Sequence, residues 1–156
     1  MRVVYAVDEY PTEDAPSIFL AGPTPRSKEV KSWRPEAIDI LAEERFNGQV
    51  FVPEGRWITW HSNYEAQVEW EEKGLILADC ISFWIPRVME TMPALTTNDE
   101  WGTWKKSGKV VLGAPPEAVK VRYQRYYATK YGIPQFDTLR DTLRAAIQKA
   151  ISRSAK

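Results

Sequence analysis

Short apolar runs closed by glycine or proline alternate along this chain with longer segments in which apolar residues recur at helical spacing. The run Ser17-Ile18-Phe19-Leu20-Ala21 is stopped by Gly22-Pro23, the pattern of a strand buried on both faces and followed by a loop. Ser32 is placed to cap a helix with Pro35 in its first turn and Ile38, Leu41 and Ala42 on its buried side, ending near Asn47-Gly48. Residues 49–52 form a second such run, stopped by Pro53, and residues 54–61 read as a loop carrying Arg56, Trp57 and Trp60. Between residue 63 and about residue 78, Tyr64, Val68, Leu75 and Ala78 mark the buried side of a helix whose other faces carry Glu65, Glu69, Glu71, Glu72 and Lys73.

The same alternation continues. Residues 80–85 predict a strand ended by Pro86, residues 87–97 a loop, residues 98–107 a helix and residues 109–112 another strand, followed by the loop Gly113-Ala114-Pro115-Pro116. A shorter helix is expected over 119–131, and Leu139, Leu143, Ala146, Ile147, Ala150 and Ile151 give the last helix a continuous apolar stripe. Residues 2–7 are β-branched and aromatic and predict an edge strand, cut off by a turn-rich linker over 11–16. Strands alternating with helices predict an α/β fold: a parallel sheet of about five strands with helices on both faces, its ligand at the carboxyl ends of the strands. With 156 residues the chain suits one domain with one core.

Composition narrows the function. Lys plus Arg and Asp plus Glu both number 21, so no global field draws the chain to nucleic acid or to anionic lipid. The one cysteine, Cys80, has no intrachain partner and the one histidine, His61, has no neighbouring ligand, which argues against a disulfide framework and against a zinc enzyme. No apolar run approaches the ~18 residues of a membrane span, and a soluble, cytoplasmic protein without cofactor or metal is expected. Seven Trp and seven Tyr exceed the usual needs of a small core; they line a pocket or a subunit interface, or they fill the core.

Three loops should converge at the sheet's carboxyl edge: residues 22–27, 53–60 and 86–100. Gly22-Pro23-Thr24 follows a buried strand and suits close backbone approach to a ligand, yet lacks the glycine spacing of a dinucleotide or P-loop site and reads equally as a rigid turn. Thr97-Asn98-Asp99-Glu100 reads in two ways. Glu100 in the first turn of a helix is a carboxylate kept ionised by the helix dipole and aimed at an electrophile, while Thr97 and Glu100 also satisfy a capping box with no further role. Asp79, just before a buried strand, reads as a cap or register device or as a catalytic acid.

The ordered set Ile18-Phe19-Leu20-Ala21-Gly22-Pro23, Trp70-Glu71, Ala78-Asp79-Cys80-Ile81-Ser82-Phe83-Trp84-Ile85-Pro86-Arg87 and Leu95-Thr96-Thr97-Asn98-Asp99-Glu100-Trp101-Gly102 resembles the nucleoside 2-deoxyribosyltransferase family. The resemblance implies a flavodoxin-like (Rossmann-like) sheet and a retaining transfer of 2-deoxyribose between nucleobases. It implies Glu100 as nucleophile and Asp79 as the group that binds and protonates the departing base, with Asp99, Glu69 and Glu54 as substitutes for the donor. Gly22, Pro23, Thr24, Glu69, Asn98 and Asp99 are the implied substrate contacts, Asn98 toward the sugar hydroxyls. Deoxynucleosides and free nucleobases are the expected partners, in a homo-oligomer whose neighbouring subunit completes the site.

Two positions depart from the family pattern. Phe19 stands where many members have a tyrosine bonded to the nucleophile, and Ala94 where many have a second aspartate. Two alternatives remain open at this point: an N-glycoside hydrolase of deoxynucleoside 5′-monophosphates, with Arg26, Ser27 and Arg34 on the phosphate, and a non-catalytic nucleotide-binding subunit.

Overall fold

The computed structural model of the chain describes residues 1–55 and 64–155. Arg56, Trp57, Trp60 and His61 of the expected loop lie outside the described residues. Among the described residues six strands, β1 (Arg2–Tyr5), β2 (Ser17–Ala21), β3 (Gln49–Val52), β4 (Cys80–Trp84), β5 (Val110–Gly113) and β6 (Gln135–Phe136), form one sheet in the order β1-β3-β2-β4-β5-β6. Every neighbouring pair is parallel. Setting aside the edge strand β1, this is the flavodoxin order, and the chain reverses its direction of travel across the sheet between β2 and β4. The crevice at that reversal opens at the carboxyl ends of β2 and β4.

Among the described residues five helices cover the sheet: α1 (Arg34–Glu43), α2 (Tyr64–Leu77), α3 (Leu95–Trp104), α4 (Arg122–Lys130) and α5 (Leu139–Ser154). The pleat divides the core in two. Ile18, Leu20, Val50 and Val111 turn to the α1 and α5 side, against Leu41, Leu143 and Ala146. Phe19, Phe51, Phe83 and Leu112 turn to the side of α2, α3 and α4, against Trp70, Leu75, Trp101 and Ala128. The central strands are buried along their whole length, which is why their sequences show no alternation. Trp33, Trp70, Trp84 and Trp101 are core residues, so four of the tryptophans are filler between layers.

Several boundaries differ from expectation. The strand β6 was not foreseen: it is only two residues long, held at the sheet's edge where the Leu112 and Ala114 N–H groups donate to Pro134 and Phe136 carbonyls at 2.9 and 3.1 Å. The N-cap of α1 is Trp33, one residue after Ser32; the Ser32 hydroxyl still accepts from the Arg34 N–H at 3.2 Å. The buried side of α1 is Ala37, Ile40 and Leu41, with Ala42 exposed. Two further differences shape the site. Tyr64 and Val68 of α2 are exposed, and Trp70, Gly74 and Leu75 face the core, which turns Glu71 inward. The helix α3 begins at Leu95 rather than near residue 98, behind an N-cap, Ala94, in the left-handed conformation (φ 58°).

Among the described residues no helix is long and apolar enough to cross a membrane. Burial pushes the Cys80 thiol up to about 12, so it remains a protonated core group.

Candidate active site

The crevice is built around a buried guanidinium. Arg34 opens α1, is 1% exposed, and reaches under the loop after β2. Its Nε donates to the Leu20 carbonyl at 3.1 Å, Nη2 to the Gly22 carbonyl at 2.7 Å, and Nη1 to Thr24 Oγ1 at 3.1 Å and Glu54 Oε1 at 2.5 Å. Trp33 Nε1 donates to the Pro23 carbonyl at 3.1 Å, so Gly22, Pro23 and Thr24 take their shape from the start of α1. Gly22 has φ +151°, and a Cβ there would stand 2.1 Å from the Trp84 carbonyl oxygen of β4; only glycine lets the loop cross so close to the neighbouring strand.

Two carboxyl groups face this frame from the helices above it, Glu71 on α2 and Glu100 on α3. Burial first, and the charge of Glu71 second, push the Glu100 carboxyl up to about 8, opposed by Arg34. Burial likewise raises Glu71, opposed by a hydrogen bond from Gln67 Nε2 at 2.9 Å and by the Arg34 charge. The Glu71 charge raises the proton affinity of Glu100, so of these two carboxyl groups it is Glu100 that is driven toward its protonated form. Among the described residues nothing donates a hydrogen bond to Glu100, and only Gln67 donates to Glu71.

The expected capping box is absent. Thr97 and Glu100 are the third and sixth residues of α3, not its cap and third position. Thr97 is buried with its hydroxyl unpartnered among the described residues. Glu100 is therefore beyond the first turn, where the dipole acts most strongly, and the expectation of a carboxylate held ionised by the helix end is corrected: burial and Glu71 favour its protonated form.

Asp79 is corrected as well. It precedes β4 and so stands at the amino edge of a parallel sheet, the end opposite to the crevice. Its Oδ2 accepts from the Ser17 N–H at 2.9 Å and from the Ser17 hydroxyl at 2.8 Å, and its own N–H donates back to Ser17 Oγ at 3.0 Å. That reciprocal pair ties the starts of β2 and β4 together.

The remaining expectations divide. Glu69 is exposed on the outer face of α2, because the helix is rotated to bury Trp70 and turn Glu71 inward. Asn98 lies on the flank of α3 away from Glu100, its Oδ1 accepting from Arg87 and Gln124. Asp99 is exposed, near enough to add to the rise at Glu100. Glu54 is consumed by Arg34 and by the Ser32 hydroxyl at 2.9 Å. The tyrosine hydroxyl missing at Phe19 is not replaced by Tyr10, which stacks on Trp70 and donates to the Trp70 carbonyl at 2.8 Å.

Glu71 is the residue that sequence reasoning passed over. Its signal was present in the spacing of Trp70, Gly74 and Leu75, which puts residue 71 at the border of the buried face. A Cβ on Gly74 would meet the Tyr10 hydroxyl at 2.2 Å and Phe19 at 2.8 Å, so this glycine lets α2 settle close to the sheet.

No curated protein matches the chain. A sequence model of a known family, described as nucleoside 2-deoxyribosyltransferase like, matches residues 15–118. That span runs from the start of β2 to beyond β5 and includes Arg34, Glu54, Glu71 and Glu100, the groups that build the crevice; the chain belongs to the nucleoside 2-deoxyribosyltransferase-like family.

Proposed function

We propose that the chain moves 2-deoxyribose from one nucleobase to another, with Glu100 as nucleophile and Glu71 as the acid that serves the departing base. The observation that carries this reading is the pair of inward carboxyl groups at the sheet's switch point, of which, among the described residues, Glu100 accepts no hydrogen bond and Glu71 accepts one, from Gln67. Burial and the Glu71 charge favour a proton on Glu100; in the reactive arrangement that proton stands on Glu71 instead and Glu100 is ionised. The Glu100 oxygen bonds to C1′ as the C1′–N bond breaks; the bonding electrons pass to the base and the Glu71 proton neutralises it. A glycosyl ester on Glu100 results.

A second base then attacks C1′ from the vacated face, gives its proton to Glu71 and releases Glu100 as a carboxylate. Water in place of the second base completes a hydrolysis. This is the logic of retaining glycosidases applied to an N-glycosidic bond, and an acid matched to the leaving base contributes typically ~10² to 10⁴ in rate. Arg34 limits the cost of the single negative charge that the pair carries.

A phosphate-requiring hydrolase is less well supported, since Arg34 spends its donors on carbonyls, Thr24 and Glu54 and Arg26 and Ser27 are exposed. The test is chromatographic. 2′-Deoxyinosine and free adenine incubated with the protein should yield 2′-deoxyadenosine, and Glu100→Ala should lower that rate by at least ~10⁴. Exchange that persists undiminished in Glu100→Ala overturns the proposal.

A further inference from the structure

On the flank of α3 away from Glu100 lies a second polar cluster, separate from the carboxyl pair, in which buried Arg87 and Gln124 meet the exposed Asn98. Arg87, three residues past the end of β4, is 4% exposed. Its Nη1 donates to the Lys120 carbonyl at 2.7 Å and its Nη2 to Asn98 Oδ1 at 2.5 Å. Gln124, 3% exposed on α4, donates its Nε2 to the same Asn98 oxygen at 2.8 Å. Arg87 has no carboxylate partner among the described residues, its Nε and Gln124 Oε1 are unpartnered there, and burial pulls its proton affinity down. A buried cation held only by dipoles is a costly way to make two hydrogen bonds, which calls for a role beyond stability.

The two helix starts that it grips supply that role. Among the described residues no side chain caps α3, whose N-cap Ala94 is left-handed, or α4, whose N-cap is Val121 after a left-handed Lys120 (φ 54°). Neither start is held by local capping, and both are held by Arg87. Asn98 and Glu100 are two residues apart and so about 200° apart around the helix, on either side of the buried seam formed by Thr97 and Trp101. A grip on Asn98 therefore sets the rotation of α3 and, with it, where the Glu100 carboxyl stands relative to Glu71.

We propose that Arg87 is a positioning residue, which holds α3 through Asn98 so that Glu100 meets C1′ of the sugar. The inference rests on Glu100 being the nucleophile. Asn98 is exposed, whereas Arg87 is buried, so the test is made at Asn98. Asn98→Ala removes the acceptor; Asn98→Asp keeps it. Expected for Asn98→Ala is a fall in kcat for base exchange of roughly 10- to 100-fold with KM changed by less than about 3-fold, and Asn98→Asp should recover most of the loss. Hydrogen exchange of the α3 amides should quicken in Asn98→Ala and be restored in Asn98→Asp, and the Glu100 carboxyl resonance should titrate at a different pH in Asn98→Ala.

These last readouts need no turnover, so a protein inactive toward deoxynucleosides would defeat the proposed function while still testing the grip. Unchanged exchange and titration in Asn98→Ala would overturn the positioning role. So would a loss confined to KM and shared by Asn98→Asp, which would make Asn98 a substrate contact.

Discussion

The two edges of the sheet treat their acids in opposite ways. At the amino edge Asp79 receives two hydrogen bonds from Ser17, and the nearby Lys109 ammonium donates to the Leu75, Ile76 and Ala78 carbonyls at 2.6, 2.9 and 3.0 Å, closing the end of α2. These partners make that edge a fastening. At the carboxyl edge Glu100 and Glu71 are also partly buried, but among the described residues they receive one hydrogen bond in all, from Gln67 to Glu71. A carboxyl group that its own fold leaves short of partners is available to a substrate, and one already satisfied is not. Burial by itself does not separate the two cases; partners do.

Substitutions should divide along the same line. The largest difference after loss of Glu100 itself should come from Glu71→Gln, which lowers kcat for ordinary deoxynucleosides by ~10² to 10⁴. A 7-methylpurine deoxynucleoside, whose base departs neutral without a proton, should lose less than about 10-fold in the same variant. Equal losses on both substrates would remove Glu71 from the role of acid. Asp79→Ala should behave in the opposite sense, losing about 1 to 3 kcal/mol of stability in a denaturant titration because the buried Ser17 N–H is left without its acceptor. Its kcat, per folded molecule, should remain within about 3-fold of the parent; a collapse of kcat without loss of stability would return Asp79 to the chemistry.

The smallest effect is one of pH. Glu100 binds its proton more tightly folded than unfolded, near 8 against an ordinary 4.5, so its contribution favours the folded state fully below the unfolded value and is lost as pH rises through the folded one. Glu100→Gln escapes that loss. Its melting temperature should run alongside the parent's at pH 4 and rise above it by about 5 °C at pH 8.5. A difference that stays constant with pH would mean that Glu100 is not held protonated in the folded chain.

Much of this was legible in the residues. The apolar runs ending in Gly22-Pro23, Pro53 and Pro86 and the alternation of strand with helix define a parallel α/β sheet, because a strand buried on both faces needs an uninterrupted apolar string and a sharp exit. The parallel order alone assigns the residue before a strand to the amino edge, so the place of Asp79 was also within reach. The helix α2 was less legible: Tyr64 and Val68 share a helical phase with each other, and only docking against Phe19, Tyr10 and Trp70 decides that the other side is buried. The start of α3 was hidden too, since a left-handed Ala94 is unfavourable by propensity and persists only where tertiary contacts impose it.

What the chain determined by itself was therefore the sheet, its layers and the crevice edge, all of which follow from the period of burial. What the assembled fold decided was which carboxyl groups confront each other there and who carries the proton. Proton affinity depends on the charges and the solvent that surround a group in space. Glu71 and Glu100, far apart in sequence, acquire those surroundings only when α2 and α3 settle on the same face of the sheet.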